Sequence, residues 1–300
     1  MRMKQIITGA VILVLGSAVW AGARATAGTS EASPGTAGTS EAPPETVQAA
    51  LPPSGEQANE RLAASPRTAE WAVIRAGEDS IRAWVVYPER RENAPVVVAI
   101  HDNQGMSNWI RGVADQLAAD GFIAIAPDLL TMQDVPRLPD GESDLAGVRE
   151  KIGQVDQGTR DRFIQAVGEW GTRLDGASSK YGIVGFCWGG STVFGHAVAA
   201  PASLGAVVVY YGGSPAPAQL STVQAPILGL YGEDDARVNS TVPPAAEALG
   251  ALGRTFEAHT FAGAGHGFTR SQVGRDGANL AAVRQAWPLT VSWFRTHLGN

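Results

Sequence analysis

The only cysteine in the 300-residue chain, Cys187, stands in Gly185-Phe186-Cys187-Trp188-Gly189-Gly190. A lone cysteine has no partner for an internal disulfide and does not by itself build a thiolate metal site. It can be a small buried hydrophobe in a glycine-rich turn, or it can be a nucleophile. The pattern G-x-C-x-G-G joins an apolar run, Tyr181 to Phe186, to a helical stretch. That is the form of a nucleophile elbow with sulfur in place of a hydroxyl. Such a turn holds its central residue in a strained backbone so that the side chain points up from the sheet edge. Side chains two residues before and after would collide there, which accounts for Gly185 and Gly189. Gly190 lets the helix come close to the strand. The helix start favours a thiolate at Cys187 and offers the N–H of Trp188 to a developing oxyanion.

A nucleophile of this kind needs a base, and the base needs an orienting group. After the apolar run Pro226 to Gly232 comes Glu233-Asp234-Asp235-Ala236-Arg237-Val238. Asp234 and Asp235 are both candidates for the acid. The G-x-x-D-x-x-V spacing from Gly232 to Val238 favours Asp235. His266, flanked by Gly265 and Gly267 before the last helical stretch, is the candidate base. The other histidines have plainer readings: His101 shapes the pocket at a strand end, His196 is structural within a helix, His259 is mid-strand, and His297 is exposed near the C-terminus.

These residues must be held at one sheet edge. Apolar runs predict strands over 71–76, 81–87, 95–101, 122–127, 181–186, 206–211, 226–232 and 256–261. Several are continuous Val/Ile/Leu runs, as in parallel strands covered on both faces. Helices are predicted over 108–120, 159–174, 188–200, 241–253 and 279–298. The first two strands form a hairpin across 77–80. The strand-helix alternation that follows predicts an α/β fold: a mostly parallel sheet of about eight strands with helices on both faces. Right-handed crossovers put the strand C-termini along one edge, where sites form. Residues 129–159 fit neither pattern well; within them TMQDVPRLPDGESD, 131–144, reads as a lid or substrate loop.

The chain is 44% hydrophobic and 17% charged, with a net charge of −6, which gives no support to nucleic-acid binding. Arg2 and Lys4 precede an apolar run from Ile6 to Trp20, shorter than the roughly 20 residues of a spanning helix. Ala23-Arg24-Ala25 is the best small-x-small site. Residues 1–25 therefore read as a signal peptide, and the protein as exported, periplasmic or secreted; left uncleaved, the segment would be a weak N-terminal anchor. Residues 26–65 are rich in Gly, Ala, Thr, Ser, Pro and Glu and contain the repeat TAGTSEASP/TAGTSEAPP. They read as a disordered spacer, with the folded domain over 66–300.

The segments AIHDNQGM, GFIAIAPDLL, GFCWGG, YGEDDARV and GAGHGF stand in this order. Together they make the 66–300 domain resemble the dienelactone hydrolase (carboxymethylenebutenolidase) family, a cysteine-using branch of the α/β-hydrolases. The resemblance implies a triad of Cys187, Asp235 and His266. It also implies a second oxyanion donor, the N–H of Asn103, beside that of Trp188. It places a nucleophile-modulating acid at Asp102, where the family usually has Glu, and a substrate-carboxylate ligand at Arg270. A second such arginine has no clear counterpart; Arg137 is the nearest.

The expected activity is cysteine-dependent hydrolysis of a lactone or small carboxylic ester through a thioester, with no metal or organic cofactor. A broad esterase or thioesterase would use the same residues, and a non-catalytic envelope binding protein would keep only the pocket. The expected partner is a small-molecule substrate, with no nucleic acid, no stable membrane span and a monomeric state. Export predicts a mature N-terminus at Thr26. N-terminal sequencing of protein recovered from a bacterial host checks this; an intact Met1 on cytosolic protein would defeat it.

Overall fold

The computed structural model describes residues 51–299. The expected signal peptide, and the expected spacer up to residue 50, lie outside the described residues. The described chain forms one eight-stranded sheet in the order β1-β2-β4-β3-β5-β6-β7-β8. The strands are β1 (Ala69–Ala76), β2 (Asp79–Val86), β3 (Ala94–Ile100), β4 (Ile123–Pro127), β5 (Ala177–Phe186), β6 (Leu204–Tyr210), β7 (Ile227–Asp234) and β8 (Phe256–Gly265). Each grows from a predicted run. β1 and β2 pair antiparallel, with Ala76 opposite Asp79, so Gly77-Glu78 makes the turn and Gly77 supplies a φ of 68°. β2 is also antiparallel to β4; every pairing from β4 to β8 is parallel.

The continuous apolar runs divide between two cores because successive side chains face opposite sides of a strand. Val97, Ala99, Val184, Phe186, Val208 and Tyr210 face α2 (Asn108–Ala119) and α8 (Ala278–Leu298), packing with Trp109, Leu117, Trp287 and Phe294. Val96, Val98, Ile100, Ile183, Val207 and Val209 face the other way. They pack on Phe163 and Val167 of α4 (Gln157–Gly171), Val193 and Phe194 of α5 (Trp188–Ala199), and Leu249 of α7 (Val242–Ala251). This is the expected layered α/β arrangement, with both sheet faces covered. Among the described residues no helix is long and apolar enough to cross a membrane.

Two regions differ from the sequence expectation. Residues 51–65, expected to be spacer, are folded onto the domain. Leu51 to Ser54 are buried, and α1 (Ala58–Ala63) follows them. The buried indole of Trp109 donates to the Pro53 carbonyl at 3.0 Å, and Arg61 donates to the Leu51 carbonyl. A few apolar residues suffice here because the groove they fill already exists on the domain. The second region is 129–159, which fits neither pattern in sequence; its stretch 131–144, expected to be loop, has only a 3-10 turn at Thr131–Gln133, and the chain becomes helical after it. The region holds α3 (Leu145–Lys151), whose N-terminus is capped by Asp144 accepting from Gly147 N–H at 2.8 Å. Asp156 caps α4 in the same way, so that helix starts at Gln157 rather than 159. Leu130, Val135, Val148 and Val155 form a small core of their own, and Val148 lies against Gly105. α6 (Ala236–Asn239) is a single turn after β7.

The elbow is the tightest contact between sheet and helix. A Cβ at Gly189 would stand 2.4 Å from the carbonyl oxygen of His101 and 2.6 Å from that of Ile100. Gly189→Ala is therefore expected to cost about 1–3 kcal/mol or more in urea unfolding. Gly250, an exposed α7 residue with nothing within 4 Å of a built Cβ, is the control; Gly250→Ala should gain up to about 1 kcal/mol. Equal stability of Gly189→Ala and the parent would refute the close packing.

Candidate active site

β5 ends at Phe186, and the next residue turns the chain into α5. Cys187 makes this turn at φ 56°, ψ −113°, a left-handed conformation that non-glycine residues rarely adopt. Its N–H donates to the Tyr210 carbonyl at 3.1 Å, and its carbonyl accepts from Ser191 N–H at 3.1 Å. The missing side chains around it have specific causes. A Cβ at Gly185 would stand 2.1 Å from the Gly189 carbonyl oxygen, and one at Gly190 would stand 2.6 Å from that of Tyr210. The thiol is half-buried and thus reachable.

The structure brings the three expected groups into one chain of contacts. His266 Nε2 lies 3.0 Å from Cys187 Sγ, and His266 Nδ1 lies 2.5 Å from Asp235 Oδ2. Asp235 caps α6, accepting weakly from Val238 N–H at 3.4 Å, and is buried. Of the two acid candidates, the neighbour Asp234 instead pairs with Arg275 on the surface, and its side chain is 63% exposed. The choice between them is one of strand geometry: the first residue past β7 turns inward. The hydrogen bond to Cys187 raises the His266 imidazole from 6.5 to about 9; burial opposes this, and the Asp235 hydrogen bond adds to it. An imidazole of that basicity can take a proton from the thiol, and the carboxylate fixes the tautomer that leaves Nε2 facing sulfur.

Trp188 is the first residue of α5, where N–H groups have no intrahelical acceptor. Its indole stacks on the His101 imidazole at 5.4 Å and 9°, and the Arg160 guanidinium covers the ring at 5.0 Å. Asn103 lies exposed in the loop after β3. His101 is fully buried, with Nδ1 2.9 Å from the Asp102 carbonyl oxygen, so it shapes the loop. Asp102 sits in the same loop, but the hydrogen bonds of its carboxylate run to Gln104 N–H at 2.9 Å and Arg270 Nη1 at 3.4 Å, rather than to the thiol. Arg270 further donates to Gln104 Oε1 at 2.5 Å and lies over the Trp109 ring at 5.2 Å. Arg137 is committed elsewhere, paired with the fully buried Asp128. His196 is buried between Tyr181 and Asp161, and His259 contacts Glu257. Among the described residues no group of three or more His, Cys, Asp or Glu side chains could hold a metal ion.

Sequence reasoning missed Tyr211. It takes a φ of 39° just past β6 and packs its ring 5.1 Å from that of His266. Burial, with the charges of Asp102 and Cys187 adding, holds its phenol well above the ordinary value. The only trace in the sequence is a tyrosine pair followed by Gly212-Gly213 at a strand end. Gly212 is there because a Cβ would stand 2.2 Å from the Gly190 carbonyl carbon.

Residues 81–298 match the model of the dienelactone hydrolase family. A Salmonella typhimurium protein provisionally named a carboxymethylenebutenolidase is 30% identical over 235 residues, covering 74% of this chain and 85% of that one. An Escherichia coli protein with the same provisional name is also 30% identical, with 74% and 84% covered. Among solved structures, a Klebsiella pneumoniae protein provisionally named a dienelactone hydrolase has a TM-score of 0.67 at 25% identity, covering 77% of this chain and 99% of that one. A family match of this extent, on the eight-stranded sheet and around the Cys187 elbow, means that the chain belongs to the dienelactone hydrolase family of α/β-hydrolases and is a carboxylic ester hydrolase.

Proposed function

We propose that the protein cleaves a lactone or small carboxylic ester through a Cys187-His266-Asp235 triad and a thioester intermediate. The observation that carries this reading is the unbroken contact chain Sγ–Nε2 and Nδ1–Oδ2, at 3.0 and 2.5 Å, on a cysteine held at a left-handed elbow. Cys187 Sγ attacks the carbonyl carbon as its proton passes to His266 Nε2. The carbonyl π bond opens, and its oxygen takes the negative charge between the N–H groups of Trp188 and Asn103. Collapse breaks the C–O ester bond, and the leaving alkoxide takes the proton from His266. In a lactone the leaving group stays tethered as a hydroxyl. Water then attacks the thioester carbonyl and gives a proton to His266; the second collapse expels sulfur, which recovers that proton. The net change is addition of one water across the ester bond.

Arg270 is the proposed ligand for a carboxylate on the substrate, since a guanidinium pairs with carboxylate through two parallel N–H bonds. Asp102 lies 3.4 Å from Arg270 Nη1 and pairs with its charge. The basic start, the short apolar run and the Ala23-Arg24-Ala25 site support export of the hydrolase to the cell envelope or outside.

Cys187→Ala is expected to abolish hydrolysis of 4-nitrophenyl acetate and of a simple lactone. Its stability should change by no more than the roughly 0.5–3 kcal/mol usual for point mutants. Cys187→Ser should keep a trace of ester cleavage, because the same base serves a hydroxyl. Parental turnover in Cys187→Ala would overturn the mechanism.

The sulfur contact is the largest cause of the raised imidazole basicity, so Cys187→Ala should lower the His266 titration midpoint from about 9 toward 6.5. Proton NMR of the imidazole reads this directly. With the folded value above the unfolded one, the stabilisation from this group is full below about pH 6.5 and is lost as pH rises through about 9. The stability gap between parent and Cys187→Ala should narrow over that window. An unchanged midpoint would mean that sulfur and imidazole do not share a proton.

A further inference from the structure

Residues 51–57 run as a strap across the loop that carries Arg270. Gly55 N–H donates to the Arg270 carbonyl at 2.8 Å, and Gln272 Nε2 donates to the Pro52 carbonyl at 2.9 Å. Ser54 and Gln57 close the strap on itself: Ser54 N–H donates to Gln57 Oε1, and Gln57 N–H to Ser54 Oγ. The Pro53 carbonyl accepts from the indole of Trp109, and this is the ring over which the Arg270 guanidinium lies. Pro53 also fills the space left by Gly112, where a Cβ would stand 2.6 Å from its Cγ.

Gly55 lies directly against the arginine. A Cβ there would stand 3.1 Å from Arg270 Cγ and 3.3 Å from Nε. The side-chain stem of Arg270 is thus bounded by Gly55, its main chain is tied by the Gly55 N–H, and its head rests on a ring that the strap also holds. The far side of the head meets Gln104, Asp102 and Ser107. The family match begins only at residue 81, so the strap is outside the matched segment.

We propose that the 51–57 strap is a specificity element of this hydrolase, and that Gly55 is its positioning residue. By fixing where the Arg270 guanidinium stands, it selects substrates that carry a carboxylate. The inference rests on the reading of Arg270 as an anion ligand given above. It assigns the reason why a segment of spacer-like composition is folded here: the strap is part of the substrate site's wall.

The test uses the full chain and its single cysteine as reporter. The probes are iodoacetate and iodoacetamide, which alkylate the same thiol and differ by a negative charge. The quantity read is the ratio of their second-order rates on parent, Arg270→Ala, Gly55→Leu and the double variant. Because both reagents meet the same thiol, a general loosening of the fold cancels in the ratio. Arg270→Ala should lower the ratio about fivefold, the scale of one partly exposed charge pair. Gly55→Leu, which pushes the stem aside, should lower it in the same direction, and the double variant should match Arg270→Ala alone. Should Gly55→Leu not fold, Gly55→Ala requires a shift of a few tenths of an ångström and should move the ratio with the same sign. If Arg270→Ala lowers the ratio while the Gly55 variants leave it unchanged, or if the two effects simply add, the strap's role is overturned and the arginine's stands. If Arg270→Ala leaves the ratio unchanged, the anion-ligand reading falls and the strap inference falls with it.

Discussion

Everything at this site depends on how closely α5 can approach β3 and β6 where it leaves β5. Gly189 lies against the carbonyls of Ile100 and His101, and Gly190 against that of Tyr210. No side chain fits at either contact. The helix therefore starts directly over the sheet edge, and the residue before it must take a left-handed backbone to make the turn. Cys187 does so at a cost of about 1–3 kcal/mol, which the two packed cores on either face of the sheet offset. The strain lifts the sulfur out of the core. The lone cysteine thus sits half-buried at the edge of the core it packs against, in a conformation dictated by the glycines around it.

Once sulfur is lifted, the rest is a matter of short polar contacts between strand ends. β7 delivers Asp235 and β8 delivers His266, and the imidazole bridges carboxylate and thiol. Both neighbours raise its basicity. The same edge carries Tyr211, whose buried ring packs against the imidazole. Trp188 is wedged between Arg160 and His101, which ties the helix start to the loop after β3. The start of α5 and the loop after β3, which carry the Trp188 and Asn103 N–H groups proposed for the oxyanion, are thus tied by this stacking.

A second constraint acts on Arg270. Its guanidinium is held by geometry on several sides: Gln104, Asp102, the Trp109 ring and the strap. Asp102 is one methylene shorter than glutamate. Its carboxylate reaches Arg270 and its own loop's Gln104 N–H, not the thiol. The segment 129–156 holds the outer side of the same loop, through Val148 against Gly105 and Ser143 N–H on the Met106 carbonyl.

The strands, their order of alternation with helices and the identities of Cys187, His266 and the acid pair were all legible in the sequence. Apolar runs and glycine spacing report local backbone needs, and those needs are local in the chain. What lay beyond it were contacts between segments far apart in sequence. Spacing favours Asp235 over Asp234, but the contact of its carboxylate with His266, and that of Asp234 with Arg275, depend on which side of a strand end each one faces. Tyr211 carries no motif, only a position where β6 meets the elbow. The partner of Asp102 is set by a side chain 168 residues away. Residues 51–65 have the composition of a spacer, and composition sets the free energy of a segment only when it is alone. Their burial is decided by a groove that exists once α2 and the Arg270 loop have packed, so it belongs to the tertiary structure.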